Sequence, residues 1–283
     1  MGRLFSTISK LRKQFMIYQC PLCQSPLSFI LEHKQLGCAN NHRFDQAKQG
    51  YFNLLPVQRK KSKEPGDSKE MIAARESFLT ANHYQPLAEN LKVLIAELVL
   101  KHSKLLDIGC GEGYYSRQVN PNDHFISYGF DISKPAVIKA AKKHQTGSYS
   151  VASSEEMPFQ SETIDAAFKV YAPVNELELH RIMKSGGYFI NVTPAPRHLW
   201  QLREFIYEEV REHATQDTLF TGLEKMSSQQ LSYQITPSPE DRLRLLDMTP
   251  FAWKANGDAR RKISERHDLA IELDFLITVF KKP

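Results

Sequence analysis

The chain has 283 residues, of which 41% are hydrophobic and 24% charged, which suits one α/β domain with a smaller module rather than a disordered protein. No stretch approaches the roughly 18 to 20 consecutive apolar residues that a membrane-spanning helix requires, so we expect no membrane association. The net charge of +5 permits a polyanionic partner but does not establish one.

The N-terminal segment 1–15 is basic, contains several Ser and Thr residues and has no acidic residue. This composition is typical of transit peptides. Met16 follows directly, so the segment is equally compatible with an extension that precedes the true start of the protein. We predict an extension outside the folded domains, and both explanations stay open.

Three of the four cysteines lie close together near the N-terminus, beside a histidine. Cys20 and Cys23 are separated by two residues, and Cys38 and His42 by three, as in two zinc knuckles joined by a loop. Four protein ligands leave no position for water, so we predict a structural zinc site rather than a catalytic one. Zinc-bound thiolates also indicate a reducing compartment, the cytoplasm. His33, in the connecting loop, is the less favoured alternative to His42.

The segment 16–56 has no apolar helical period long enough to form a core of its own, and we predict a zinc-binding module there. The polar, basic run 57–67 ends in a Pro-Gly turn and predicts a linker. Ser68 is the expected N-cap of a first helix, and a second helix is predicted over residues 85–100. We assign residues 68–283 to a single catalytic domain.

After Lys104, short apolar runs alternate with helical periods, which predicts βαβ units and a mostly parallel sheet. The predicted strands are 105–108, 125–130, 164–170 and 187–192, and the predicted helices are 113–119, 134–144, 176–183 and 199–213. The tail 272–280 predicts a last strand, antiparallel and at an edge of the sheet.

A glycine-dense turn with Gly109, Gly111 and Gly113 follows the first of these strands. Glycines let the chain reverse sharply and let a ligand approach the backbone. Asp107 precedes the turn, and Asp131 ends the next strand, where a carboxylate can accept hydrogen bonds from ribose hydroxyls. A purely structural role for the two acids, in capping the turns, is the alternative.

This layout is shared by nicotinamide and S-adenosylmethionine (SAM) enzymes, but the Asp-x-Gly-x-Gly-x-Gly form, with the acid at the end of the strand, resembles motif I of class I methyltransferases. A sulfonium cofactor carries an ammonium group and no pyrophosphate, so nearby carboxylates attract it. We therefore predict an α/β fold with a class I, Rossmann-like SAM methyltransferase domain. Segments 151–154 and 158–159 are expected to frame the adenine, while Tyr171 and Pro173 either line the target pocket or pack in the core.

Several blocks of the sequence resemble the RlmA/RrmA family of 23S rRNA (guanine-N1)-methyltransferases. They are residues 20–23, 50–56, 65–67, 71–75, 83–84, 107–115, 193–198 and 248–253. The resemblance implies a homodimer that binds a hairpin loop of 23S rRNA. The blocks 54–58 and 248–253 look closer to the type that modifies guanine 745, and a guanine-748 enzyme is the alternative. The family lacks the extension before Met16.

The resemblance also implies site residues. The family's zinc ligands correspond to Cys20, Cys23, Cys38 and His42, and its cofactor contacts to Tyr84, Glu112, Gly113 and His198.

A group of basic residues, interleaved with aromatic ones, is predicted to bind the RNA. These are Arg43, Lys48, Arg59, Lys60, Lys61 and Lys63, with Phe44, Tyr51 and Phe52 for base stacking. A solvated basic loop without an RNA role is the alternative.

Guanine N1 carries a proton at neutral pH, so its methylation needs a proton acceptor. Asp67 and His198 are candidates, although Asp67 could equally close the Pro-Gly turn and His198 could contact only the cofactor. Two rival functions are a catalytically silent zinc-dependent RNA-binding protein and a methyltransferase for a small molecule or protein. The intact glycines and acids argue against the silent protein.

Overall fold

The computed structural model describes residues 17–60, 62, 65–213 and 219–283. The predicted extension 1–15, Met16, and the predicted RNA-binding residues Lys61 and Lys63 lie outside the described residues.

Three short strands near the N-terminus form an antiparallel sheet: β1 (Ser28–Ile30), β2 (Gln35–Gly37) and β3 (Arg43–Asp45). The chain then leaves this sheet, and β4 (Phe52–Asn53) becomes an edge strand of the large sheet of the protein. A 3-10 helix, Val57–Arg59, follows. The first four strands therefore divide between two sheets, and the chain connects the small one directly to the large one.

Two helices precede the rest of the large sheet, α1 (Lys69–Thr80) and α2 (Gln85–Leu98). The Ser68 hydroxyl accepts a hydrogen bond from the Met71 backbone N–H at 3.2 Å, which confirms the predicted N-cap.

The large sheet has eight strands in the order β10-β11-β9-β8-β5-β6-β7-β4. Its remaining strands are β5 (Lys104–Ile108), β6 (Ile126–Asp131), β7 (Ser148–Val151), β8 (Ile164–Val170), β9 (Met183–Pro194), β10 (Glu224–Ile235) and β11 (Ile271–Lys281). The later helices are α3 (Tyr114–Val119), α4 (Lys134–Lys143), α5 (Glu176–Ile182), α6 (Trp200–Arg203), α7 (Pro239–Asp247) and α8 (Gly257–Glu265), with a 3-10 helix at Pro250–Trp253. Strands β4 to β9 are parallel, which confirms the predicted Rossmann-like class.

Strand β5 lies between β6 and β8, so the connections leave it in opposite directions and open a crevice at the carboxyl ends of these strands. Among the described residues, no helix has the length and apolarity that crossing a bilayer requires.

Two predicted elements are wrong in extent or place. The predicted helix 199–213 is reduced to α6, because the chain turns back after it: the Arg203 guanidinium donates to the Arg211 carbonyl, and the His213 N–H donates to the Pro196 carbonyl at 3.0 Å. Strand β11 is antiparallel, as expected, but it lies inside the sheet. The edge is formed by β10, which pairs with β11.

The small N-terminal sheet buries its apolar side chains against the large sheet. Tyr18 is fully buried, and its ring stacks on that of Phe159 at 5.3 Å between centroids and lies 6.4 Å from Phe52. Leu27 and Leu36 belong to the same buried cluster. The N-terminal segment thus shares a core with the large sheet, as expected for a segment too small to have its own.

Candidate active site and metal centre

A cavity of about 800 Å³ opens at the carboxyl ends of the central parallel strands. Seven of the predicted cofactor-binding residues line it, together with both proton-acceptor candidates: Tyr84, Asp107, Gly109, Gly111, Glu112, Asp131, His198 and Asp67. The structure therefore brings together residues that are widely spaced along the chain. Gly113 is the exception, since it lies outside the lining.

The glycines of the loop are required by its backbone. Gly109, Gly111 and Gly113 have φ values of +68°, +54° and +79°, which lie in the left-handed region. A Cβ on Gly109 would lie 2.3 Å from the Cβ of Ala172, so this position has no room for a side chain. Gly113 is the N-cap of α3 and packs against Ala140 of α4, where a Cβ would lie 3.0 Å from the Ala140 Cβ. Gly113 thus allows the loop to pack closely against α4.

Two carboxylates flank the glycine loop. Asp131 Oδ2 accepts from the Gly111 N–H at 2.9 Å, and Oδ1 accepts from the Ser133 N–H at 2.8 Å. Asp107 is 3% exposed, and its Oδ2 accepts from the Ser116 hydroxyl at 2.6 Å. Burial raises the pKa of Asp107 to about 7, and burial also raises the pKa of Asp131. Both acids thus stabilise the loop and also place negative charge that a cationic ligand would complement.

The Glu112 side chain is almost fully buried and already has two cationic partners. Its carboxylate lies 3.3 Å from Arg117 and 3.3 Å from Lys143. Its contribution to the cavity therefore differs from that of the two aspartates, because its charge is balanced within the protein.

Of the two segments predicted to frame the adenine, one lines the cavity and the other contributes to the core. Ala152, Ser153 and Ser154 line the cavity, whereas Phe159 is fully buried and packs on Tyr18 in the core. For Phe159 the prediction is wrong, since its ring fills the space between the small and large sheets.

An aromatic wall, formed by Tyr84, Tyr171 and His198, is another part of the cavity lining. Tyr171 has a φ of +60°, a conformation that is rare for a bulky residue, and its side chain is 39% exposed within the cavity lining. Its hydroxyl lies 3.3 Å from His198 Nε2, and its ring stacks on Phe275 at 6.2 Å. Tyr84 is buried beside the same group. Tyr171 thus belongs to the cavity wall, which resolves the alternative that it packs in the core.

The His198 imidazole is held neutral. Burial lowers its pKa to about 3. Its Nδ1 accepts a hydrogen bond from the Asp274 N–H at 3.1 Å, so the proton of the neutral ring resides on Nε2 and points toward the Tyr171 hydroxyl. In this state His198 is a hydrogen-bond donor.

Two cations in the cavity lining were not identified from the sequence. Arg75 forms an ion pair with Asp67 at 2.5 Å. Lys169, near the end of β8, is 8% exposed, and its ammonium makes no ion pair or hydrogen bond with another described residue. Burial lowers the pKa of Lys169 to about 8. The only signal in the sequence was a lysine within an apolar strand, which could have been noticed as an unusual buried charge.

Four side chains converge near the small sheet, and their ligand atoms all lie within 4.8 Å of one another: Cys20, Cys23, Cys38 and His42. The Cys23 and Cys38 sulfurs are 3.7 Å apart, and His42 Nδ1 lies 3.4 Å from Cys38 Sγ and 3.5 Å from Cys20 Sγ. A tetrahedral site with Zn–S bonds of about 2.3 Å has sulfur–sulfur edges of about 3.8 Å, so the group has the size that zinc requires. His33 is not part of the cluster.

The predicted RNA-binding residues are not equally available. Tyr51 and Phe52 are 5% and 1% exposed, so the prediction that they stack on bases is wrong. Arg43 donates to the Cys38 carbonyl at 3.1 Å and to Asn41 Oδ1 at 2.7 Å, and it thereby supports the Cys38–His42 turn. Arg59 is paired with Glu156.

Comparisons with known proteins agree with this arrangement. Residues 18–63 match a zinc-ribbon family model described as "RlmA, N-terminal", and residues 106–191 match a methyltransferase domain. The 23S rRNA (guanine(748)-N(1))-methyltransferase of Streptomyces fradiae is 31% identical over 280 residues, which cover 94% of this chain and 98% of that protein.

The chain belongs to the RlmA family of 23S rRNA (guanine-N1)-methyltransferases. YxjB of Bacillus subtilis, provisionally named a 23S rRNA (guanine-N1)-methyltransferase, is 28% identical over 279 residues, with 93% and 97% of the two chains covered. This RlmA-family protein is therefore a SAM-dependent methyltransferase with an N-terminal zinc ribbon.

Proposed function

We propose that this protein transfers a methyl group from SAM to N1 of a guanine in a hairpin loop of 23S rRNA, and that the guanine is of the 745 type. The observation that carries the proposal is the cavity, whose lining combines the acid-flanked glycine loop with an aromatic wall in a member of this family. Guanine 748, the position in the name of the S. fradiae relative, is the alternative.

The cofactor would be held along the glycine loop. We assign the ribose hydroxyls to Asp131, whose oxygens each keep an acceptor site, and the cationic end of SAM to the neighbourhood of Asp107. Gly109 and Gly111 allow close approach to the backbone, while Tyr84, Glu112 and His198 complete the walls. When bound, SAM supplies an electrophilic methyl group. The residues of the chain then contribute alignment and proximity, since methyl transfer is an in-line displacement.

The proton on guanine N1 must be removed, and the candidate residues differ in their ability to accept it. His198 is neutral and donates from Nε2, so it is poorly suited to accept a proton. Asp67 is paired with Arg75. Lys169 has no partner among the described residues, and its pKa of about 8 makes the neutral amine accessible near neutral pH. We therefore assign the proton acceptor to Lys169, while Asp67 and His198 position the substrate.

We further propose that Cys20, Cys23, Cys38 and His42 bind zinc as a closed structural site, and that the ribbon carries part of the RNA-binding surface with Lys48 and Lys60. Zinc-bound thiolates support a cytoplasmic location. The family resemblance and the exposed backbone edge of β10 support a homodimer, which light scattering on the purified protein would test.

The deciding experiment is methylation of an unmodified 23S rRNA transcript with SAM labelled in the methyl group. A methyl group at guanine N1 blocks the Watson–Crick edge, so primer extension should stop beside guanine 745, and nucleoside mass spectrometry should find 1-methylguanosine. A stop beside guanine 748 would select the alternative. Labelling of another atom, or no labelling with zinc and SAM bound, would refute the proposed function.

A further inference from the structure

One exposed indole follows residues of the cavity lining directly along the chain. Trp253 ends the 3-10 helix Pro250–Trp253, and its side chain is 82% exposed. Pro250 and Phe251 of the same helix line the cavity, so the indole lies within one helical turn of the lining. In the described part of the chain, no other Phe, Tyr or Trp side chain is more than half exposed. Exposure of a large aromatic ring to solvent forgoes the stabilisation that its burial would give, so a binding role is a reasonable explanation.

The exposure is not a result of a loosely held backbone. The Thr249 hydroxyl donates to the Leu246 carbonyl at 2.8 Å, and the Ala252 N–H donates to the Thr249 carbonyl at 3.2 Å. The Phe251 ring packs edge-on against Tyr207 at 6.1 Å. The Trp253 indole makes no hydrogen bond or ring contact with another described residue. A fixed segment thus presents an unpartnered indole to the solvent.

The surroundings of Trp253 favour a flat, charged partner over an apolar protein surface. The next residues are Lys254, Ala255 and Asn256, so the chain that follows the indole is largely polar, unlike the apolar patches that protein interfaces use. Lys254, the next residue, is exposed, and its ammonium lies 4.9 Å from the centre of the Tyr207 ring. A cation that can attract a phosphate therefore follows the indole directly. An aromatic face beside a cation is the combination that binds single-stranded nucleic acid.

We propose that Trp253 is a stacking platform for a base of the RNA loop adjacent to the guanine that is methylated. The inference rests on the proposed rRNA substrate and adds a second base-binding site to it. A guanine that enters the cavity must leave the stack of the loop, so its neighbour loses a stacking partner. The exposed indole, in the same 3-10 helix as Pro250 and Phe251 of the lining, replaces that partner. The platform contributes to RNA binding and to the placement of the guanine, and it has no part in SAM binding.

The test uses the intrinsic fluorescence of the two tryptophans, Trp200 and Trp253. In a Trp200→Phe background, Trp253 is the single tryptophan, and its emission can be excited selectively over that of the tyrosines. Titration with an unmodified hairpin transcript should quench its emission, and quenching should saturate with the RNA-binding curve. Trp253→Ala should weaken RNA binding by about 10-fold or more, and Trp253→Phe by less, because stacking on an aromatic ring contributes roughly 1 to 3 kcal/mol per base. The affinity for SAM should stay within about twofold of the parent protein, since no SAM contact is removed.

The matched control is Leu100→Ala, a side chain that is 84% exposed and lies before β5, at the end of the sheet opposite the cavity. It should change neither RNA nor SAM affinity. The inference is overturned if RNA saturates the protein without quenching Trp253, or if Trp253→Ala binds RNA like the parent. It is also overturned if the substitution only dissociates a dimer, which would make a second copy the occupant. Failure of the parent to form 1-methylguanosine, with quenching intact, would instead reject the proposed function alone.

Discussion

The zinc ribbon and the SAM cavity are each stabilised by different interactions. The three ribbon strands have three residues each, and the ordering of their turns depends on four side chains that converge on one point. The cavity rests on an eight-stranded sheet whose central strands are buried on both faces. Among the described residues, none that lines the cavity precedes Gly66, so the described part of the ribbon contributes no wall to it. The two regions meet in the shared core around Tyr18 and along β4, which pairs with β7 of the large sheet.

Because the two regions are stabilised differently, we expect that a change that abolishes zinc binding leaves SAM binding intact. Loss of zinc removes what orders the ribbon, whereas the loop around Gly109 keeps its support from β5, β6 and α4. Disorder in the ribbon can affect the cavity only to the extent that it disturbs the core that the two regions share.

The largest expected effect is that of Cys38→Ser. Loss of one ligand opens the zinc site, and because metal affinity in such small modules is coupled to folding, methylation of rRNA should fall by about 100-fold or more. The SAM affinity should change by less than about threefold, measured by calorimetry. Zinc content, from mass spectrometry of the native protein, should fall in parallel. His33→Ala, outside the cluster, serves as the control and should behave like the parent. If SAM binding is lost together with zinc, the shared core couples the two regions and the separation is wrong.

The next largest effect is that of Lys169→Met, which should increase stability and decrease activity. The pKa of Lys169 is lowered to about 8 in the folded protein, so the folded state binds fewer protons than the unfolded state between about pH 8 and 10.5. Stability therefore rises with pH in that range, and the buried ammonium costs stability below it. Lys169→Met removes this cost of up to about 3 kcal/mol at pH 7, so its melting temperature should increase.

The same substitution should lower the rate of methyl transfer by about 100-fold or more, because the proton acceptor is lost. In the parent, the rate should rise with pH up to about 8 as Lys169 becomes neutral. Lys169→Arg keeps the charge but cannot accept a proton. If Arg restores the rate, Lys169 acts by charge alone, and a Met variant as active as the parent would exclude any role in the reaction.

The ribbon and the cavity also differ in how far the sequence predicts them. The two ligand pairs of the metal site lie close in the chain, so Cys20, Cys23, Cys38 and His42 were identified by spacing alone. The glycine loop and its strands were predicted for the same reason, since an apolar run, a turn and a helix start follow one another directly. Local patterns report local structure well.

What the sequence could not provide depends on tertiary contacts. The edge strand β10 is polar along most of its length, so it has no apolar alternation to reveal it. Phe52 and Phe159 look like ligand-binding aromatics until their burial between the two sheets is known. For Lys169 the sequence shows only a lysine within an apolar strand, and its position in the cavity without a partner depends on the fold. Composition cannot distinguish an aromatic or a cation in a site from one in the core.

The smallest of the expected effects is a pH dependence of SAM binding. The pKa of Asp107 is raised to about 7 by burial, and SAM is a cation, so binding favours the ionised carboxylate. The affinity should therefore increase as pH rises from 6 to 8, by about tenfold if Asp107 must be ionised. Asp131, whose pKa is also raised, and Lys169, whose ammonium repels the cofactor below its pKa of about 8, act in the same direction.

Two variants separate Asp107 from these neighbours in calorimetric titrations at several pH values. Asp107→Asn should bind SAM more weakly and leave only the part of the pH dependence that belongs to Asp131 and Lys169. Ser116→Ala removes the hydrogen bond that lowers the pKa of Asp107, so the midpoint should move to higher pH. A ribbon variant, Cys38→Ser, should keep the parent's pH profile, because the ribbon does not line the cavity. An affinity that is independent of pH, or that falls as pH rises, would mean that the aspartates do not face the cationic end of SAM.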